Sequence, residues 1–289
     1  MFLLKRLVIP LMVLTAGVLP AAVEAIAQTA GLGLDPGRME IEVKPGHEKT
    51  IGFTIDSPIS ESTVRGRLLL SLTDWNVTED TRIVYSDAGT TSNSASPWVI
   101  FSPAAVTIAS GQRQLVRVTI RVPAETAPGL YRTAIFVQER PPAAPPQNGE
   151  QLVYVRFRYV FFLYVTVSPV SVQPEVTDVR LISGPEGIRL ICDMANHGSG
   201  HARPLVTVSI RNSQNDDIKL VRNYEATVLL PFSKIHEAFL LNGKLAADLY
   251  EITAQVDFQD NGPLHSIHRT VDWNPSRETL TAGKTAVEH

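Results

Sequence analysis

The chain is almost without cysteine. A single Cys192 in 289 residues excludes a disulfide framework and a cysteine-built zinc centre. An excess of basic charge is missing too. Lys and Arg number 26 against 29 Asp and Glu, a formal net charge of −3. That argues against a general nucleic-acid binder, because neutralising phosphates needs a basic surface. Charge as a whole is sparse, 19% of residues against 44% hydrophobic, a balance that excludes a disordered chain. Catalytic signatures are absent: there is no H-E-x-x-H pair, G-x-S-x-G elbow, phosphate loop or dinucleotide fingerprint. Asp216 and Asp217 close a polar turn. His197 and His201 have i,i+4 spacing, but Gly198 and Gly200 between them make a turn, not a helix. His265 and His268, three apart on a strand, face opposite sides. No catalytic residue, metal ligand or cofactor site is assigned, and the chain reads as a non-enzyme.

Long apolar runs are lacking as well, except at the start. Residues 1–27 combine Lys5 and Arg6, an apolar stretch from Leu7 to Leu19, and Ala25 and Ala27 in an A-x-A cleavage pattern. This reads as a secretory signal peptide in preference to an uncleaved membrane anchor, since its apolar run falls short of the ~20 residues of a spanning helix. The protein is expected to be exported, with no integral membrane segment after cleavage.

Helical periodicity is scarce, and alternation with period two recurs. Ile51, Phe53 and Ile55 share one strand face, as do Val64, Leu68, Leu70 and Leu72. Val116, Val118, Ile120 and Val122 alternate with Arg117, Thr119 and Arg121, the pattern of a half-buried strand. Pro45-Gly46, Ser110-Gly111 and Pro128-Gly129 mark turns between strands. The chain changes character near Pro169, where residues 169–176 read as an extended connection. A second set of strands follows, including Ile188, Leu190, Cys192 and Met194 on one face; Cys192 reads as an inert core residue. Tyr131 and Tyr250 each follow Leu after a turn and open a late strand, the place of a corner tyrosine in an immunoglobulin-like sandwich. The reading is all-β, with two immunoglobulin-like β-sandwich domains in tandem: 28–169, then 170–274, then a tail over 275–289.

One strand is unusually long. Leu152 to Val167 carries Val153, Val155, Phe157, Tyr159, Phe161, Leu163, Val165 and Val167 on one face and a half-apolar set on the other. At ~3.3 Å per residue it would span about 50 Å, against the usual ~5–6 residues. A Pro-rich loop, 140–151, precedes it. Such a strand can add itself to another protein's sheet, or it is a central strand buried on both faces.

Several motifs, in order, resemble the periplasmic pilus chaperones of the chaperone–usher pathway. They are Leu34-Asp-Pro-Gly-Arg38 leading to Lys44-Pro-Gly46, then Pro103 to Gly111 before Val116-Arg-Val, then Pro128-Gly-Leu-Tyr-Arg132. The long strand before Ser168-Pro169 and the turn Asn196 to Pro204 continue the series. The resemblance implies two angled immunoglobulin-like domains, a periplasmic location, no cofactor, and partners in a pilus or fimbrial subunit and an outer-membrane usher. It implies that the chaperone lends its long strand to an incomplete subunit, with Val153, Val155, Phe157, Tyr159 and Phe161 filling the subunit's groove. In that family an Arg of the first strand and a Lys of the long strand grip the subunit's terminal carboxylate. Arg38 stands at the Arg place, but the long strand has no Lys, and Arg156 and Arg158 are the candidates to substitute, since a guanidinium also binds carboxylate. The rival reading is an exported structural or adhesive protein whose long strand is simply core.

Overall fold

The computed structural model describes residues 31–58, 66–139, 157–214, 218–241, 243–260 and 262–274. The signal segment, the tail and the start of the long strand lie outside the described residues. Among the described residues, all regular elements but one 3₁₀ turn, Ser96–Trp98, are strands.

The first ten strands are β1 (Gly33–Asp35), β2 (Arg38–Glu42), β3 (Glu48–Asp56), β4 (Gly66–Val77), β5 (Ile83–Ser86), β6 (Val99–Ser102), β7 (Ala105–Ile108), β8 (Arg113–Arg121), β9 (Gly129–Glu139) and β10 (Arg158–Val167). They form two sheets, β1-β3-β8-β6 and β2-β10-β9-β4-β5, with β7 also on β4. Alternation decides which side chains lie between the sheets. Phe53 and Ile55 of β3, Val116, Val118 and Ile120 of β8, and Phe161, Leu163 and Val165 of β10 are all buried. Phe53 stacks on Phe161 with ring centroids 4.3 Å apart and so ties one sheet to the other.

The remaining strands are β11 (Pro174–Gly184), β12 (Gly187–Asn196), β13 (Leu205–Asn212), β14 (Ile218–Glu225), β15 (Ser233–Leu240), β16 (Asp248–Asp257) and β17 (His265–Trp273). They form sheets β11-β12-β15 and β14-β13-β16-β17. Leu190, Cys192, Met194, Val206, Val208, Ala254 and Trp273 share this second core. Burial first, and the carboxylates of Glu237 and Asp178 after it, push the Cys192 thiol up to about 12, so it is an unreactive core residue. The molecule is thus all-β, two immunoglobulin-like sandwiches in tandem.

Both corner tyrosines make the expected bond. Tyr131 donates to the Ala127 carbonyl at 3.0 Å and Tyr250 to the Ala246 carbonyl at 3.2 Å. Each hydroxyl thereby fixes the turn that launches the strand after it.

Where the sandwiches meet, a third apolar cluster joins Trp75, Leu130, Ala134 and Tyr164 of the first to Val228 and Leu230 of the second. The turn after β12 is held against the connection between the sandwiches. Asn196 accepts from the Gln173 and Gly198 amides and donates to the Gly200 and Leu230 carbonyls. A Cβ at Gly198 would run into the Ser171 carbonyl, so this close approach needs glycine. The turn so placed carries His201 and Arg203 onto the first sandwich.

Candidate partner-binding site

β10 has two different neighbours along its length. From Phe162 to Thr166 it lies between β9 and β2, the latter pairing in parallel as Arg38 to Glu42. From Arg158 to Phe161 it pairs with β9 alone. Among the described residues no strand covers the other edge of that stretch. Leu32 approaches it only through a side chain, its amide donating to the Tyr159 hydroxyl at 2.8 Å.

The same stretch leaves its own core. Along one face Val165, Leu163 and Phe161 are fully buried, Tyr159 is half-buried and Phe157 is 51% exposed. The apolar face that fills the sandwich thus thins out from Phe161 through Tyr159 to exposed Phe157, along an edge that no strand covers among the described residues. This divides the side chains expected to fill a partner's groove. Phe157 stands at the emerging end, while half-buried Tyr159 still packs against the first core. Phe161 does not emerge: its ring is stacked on Phe53 and has no exposed surface, because the sandwich uses this face itself. Val153, Val155 and Arg156 lie outside the described residues.

The second part of the site is the cleft between the sandwiches. Arg38, first residue of β2, lies beside Phe162 of β10. Its Nη1 is 3.1 Å from Glu225 Oε1 at the end of β14, and its Nε is 3.9 Å from Glu40 Oε1. Glu40 also takes Arg203 Nε at 2.6 Å and His201 Nε2 at 2.9 Å. The hydrogen bond from His201, opposed by burial and helped by the charges of His201 and Arg203, holds the Glu40 carboxyl down at about 2. Arg203 lies over the Tyr164 ring at 4.9 Å, and His201 stacks on the same ring at 5.0 Å. Burial raises the Tyr164 hydroxyl. The cleft measures about 290 Å³, with Trp75, Phe162 and Tyr164 as an aromatic wall and Arg38, Arg203 and Glu225 as its charged lining.

Arg158 is not brought to Arg38. It sits four residues before Phe162, donates to Gln138 at 3.2 Å and covers the Phe136 ring at 4.4 Å. The guanidinium that shares the cleft with Arg38 is Arg203, from the second sandwich. Sequence reasoning missed it, and Glu225 with it. Arg203 belongs to a turn readable only as a turn, and nothing in the chain tells that this turn faces β2.

Because its folded carboxyl is held low, Glu40 stabilises the contact above its unfolded value near 4.3, and the gain is lost as pH falls towards about 2. Glu40→Gln is expected to cost about 1–2 kcal/mol at pH 7, less than the full shift implies because the side chain is 38% exposed and screened. Urea denaturation at pH 7 and pH 3 checks this: the gap between the two proteins should narrow at the lower pH.

No family model and no curated protein matches the chain. Solved structures do. The chain is similar to chaperones of fimbrial assembly. A structure from a chaperone–tip adhesin complex of CFA/I fimbriae biogenesis is 11% identical at a TM-score of 0.45, over 83% of this chain and 98% of that one. The class 5 fimbriae chaperone CfaA is 11% identical at 0.43, over the same shares. The CsuC–CsuE chaperone–tip adhesion subunit pre-assembly complex of Acinetobacter baumannii Csu pili is 14% identical at 0.43, again over 83% and 98%.

Proposed function

We propose that this protein is a periplasmic chaperone that holds an incomplete immunoglobulin-like pilus or fimbrial subunit by lending it a strand. The observation that carries the reading is the exposure of Phe157 just before β10, next to half-buried Tyr159, beside a β10 edge with no partner strand among the described residues. Added to a sheet that lacks a strand, such a segment supplies main-chain hydrogen bonds, and its alternate side chains fill the open groove. Residues 28–169 form the binding domain and 170–274 a second domain that closes the cleft. The protein reaches the periplasm on the signal peptide 1–27 and passes its subunit to an outer-membrane usher. Arg38 receives the subunit's terminal carboxylate at the mouth of the cleft.

Two measurements test this. Recovered from periplasm, the wild-type protein should bring a subunit with it, and Phe157→Asp should bring little. Arg38→Gln should weaken subunit binding about 30-fold, the loss of a contact worth roughly 2 kcal/mol, while unfolding shifts by less than about 1 kcal/mol, the loss of exposed ion pairs. Equal recovery by wild type and both variants would overturn the reading and leave an exported structural or adhesive protein.

A further inference from the structure

The carboxylate that Arg38 is to receive would not find it empty. Its guanidinium already carries Glu225, 3.1 Å away across the cleft. We propose that Glu225 is a built-in occupant of this site, displaced when a chain end with a free carboxylate and an apolar last side chain enters between the sandwiches. The proposal rests on the reading that Arg38 anchors a partner's terminus.

Two acids face Arg38, and they are not equivalent. Glu40 is fastened from the other side by His201 at 2.9 Å and Arg203 at 2.6 Å. Glu225 is 59% exposed, and among the described residues Arg38 is its one charged partner. Exchanging Glu225 for an incoming carboxylate leaves the charge on Arg38 balanced and disturbs only a screened surface pair. Exchanging Glu40 would break three contacts at once.

The backbone that carries Glu225 aims it across the cleft. β14 is the outer strand of its sheet and Glu225 is its last residue. Just before it the ladder slips: Val206 faces Tyr224 and Val208 faces Val221, so Arg222 and Asn223 stand against Thr207 alone. Asn223 takes a left-handed φ of 47°. A bulge of this kind bends its strand and re-aims the residues after it, here the carboxylate that crosses to Arg38. Release of Glu225 requires only its exposed side chain to swing away, because Tyr224 on one side packs against Phe239 and Ala226 on the other is buried in the second core.

The walls decide what the newcomer carries. Beyond Arg38 the cleft is bounded by Trp75, Phe162 and Tyr164 on one side and by Ala226 and Val228 on the other. Its volume, about 290 Å³, lies at the small end of ligand pockets and suits a single apolar side chain beside the carboxylate. An internal acid at such a site lowers apparent affinity for the external one, because bound and empty states compete for one guanidinium.

The test titrates the purified protein with N-acetylphenylalanine and with its amide, following the guanidinium Nε–H resonance of Arg38 by NMR. The acid should move that resonance and the amide should not. Glu225→Gln should bind the acid about two- to five-fold more tightly, the worth of an exposed ion pair, and Glu225→Ala should do the same. Arg38→Gln should bind acid and amide alike. An acid affinity unchanged or weakened in both Glu225 variants, or no acid binding at all, overturns the proposal. The two readings fail separately. If strand lending is wrong, no subunit is recovered although the acid still displaces Glu225. If the occupant is wrong, subunit capture still depends on Arg38 while the Glu225 variants bind the acid no better.

Discussion

Phe161→Ala is expected to destabilise the first sandwich by about 3–5 kcal/mol, while Phe157→Ala, four residues earlier and just before β10, changes stability by less than about 0.5 kcal/mol. Phe161 has no exposed surface and stacks on Phe53 at 4.3 Å. Truncating it removes most of an aromatic side chain from the centre of the core and leaves a cavity between two sheets that hydrogen bonds keep from closing. Phe157 is half in water and touches little of that core. Urea unfolding of both variants measures the difference. The contrast locates the point where β10 stops serving its own domain, and the proposed function needs that point to lie between Phe161 and Phe157. Comparable losses from both substitutions would mean that the strand is core throughout, and strand lending would have nothing left to lend.

Asp74→Ala is expected to cost about 3–4 kcal/mol, through a different mechanism. Asp74 is fully buried and accepts four hydrogen bonds: Ser94 Oγ and Ser96 Oγ at 2.6 Å, and the Thr91 amide and hydroxyl at 2.9 Å. Alanine leaves these donors facing a hole, and each unsatisfied buried group carries its own desolvation penalty. Burial by itself would raise the Asp74 carboxyl, but the bonds from Ser94, Ser96 and Thr91 outweigh it and hold the group below its ordinary value. The contribution is therefore complete above about pH 4 and lost as pH falls through the lowered range. Wild type and Asp74→Ala should differ most near neutrality and converge in acid, measured by denaturation across that range. Asp74→Asn, which keeps the shape but turns one acceptor into a donor, should fall between them. A flat pH dependence of the difference would show that the carboxylate charge is not what the serines and threonine hold.

Much of the fold is legible in the chain because one-dimensional alternation maps directly onto two-sided strands. Val116, Val118 and Ile120 face inward as their spacing requires, and Tyr131 and Tyr250 make their corner bonds because a turn four residues back presents a carbonyl. The site is legible only in part. Alternation tells which residues of β10 share a face but not how far along the strand the opposing sheet reaches, so Phe161 and Phe157 look alike until Phe53 is placed. The cleft depends on contacts between residues far apart in the chain. Arg38 meets Glu225 across 187 positions and Glu40 meets Arg203 across 163, and no local pattern encodes either meeting. Arg158 is the nearer cation in sequence, yet strand geometry carries it away along β10, to Phe136.

The parallel pairing of β2 with β10 has a further consequence. β2 begins at Arg38, opposite Phe162, and covers β10 from there on. Under the proposed function, a strand laid along the open stretch and running towards the cleft meets that first residue as a stop, since the edge beyond it is taken. A guest would then be measured like a rod in a gauge: its end butts against Arg38, and every side chain upstream falls into place by counting back from the end. Such a device selects termini over internal segments of identical composition.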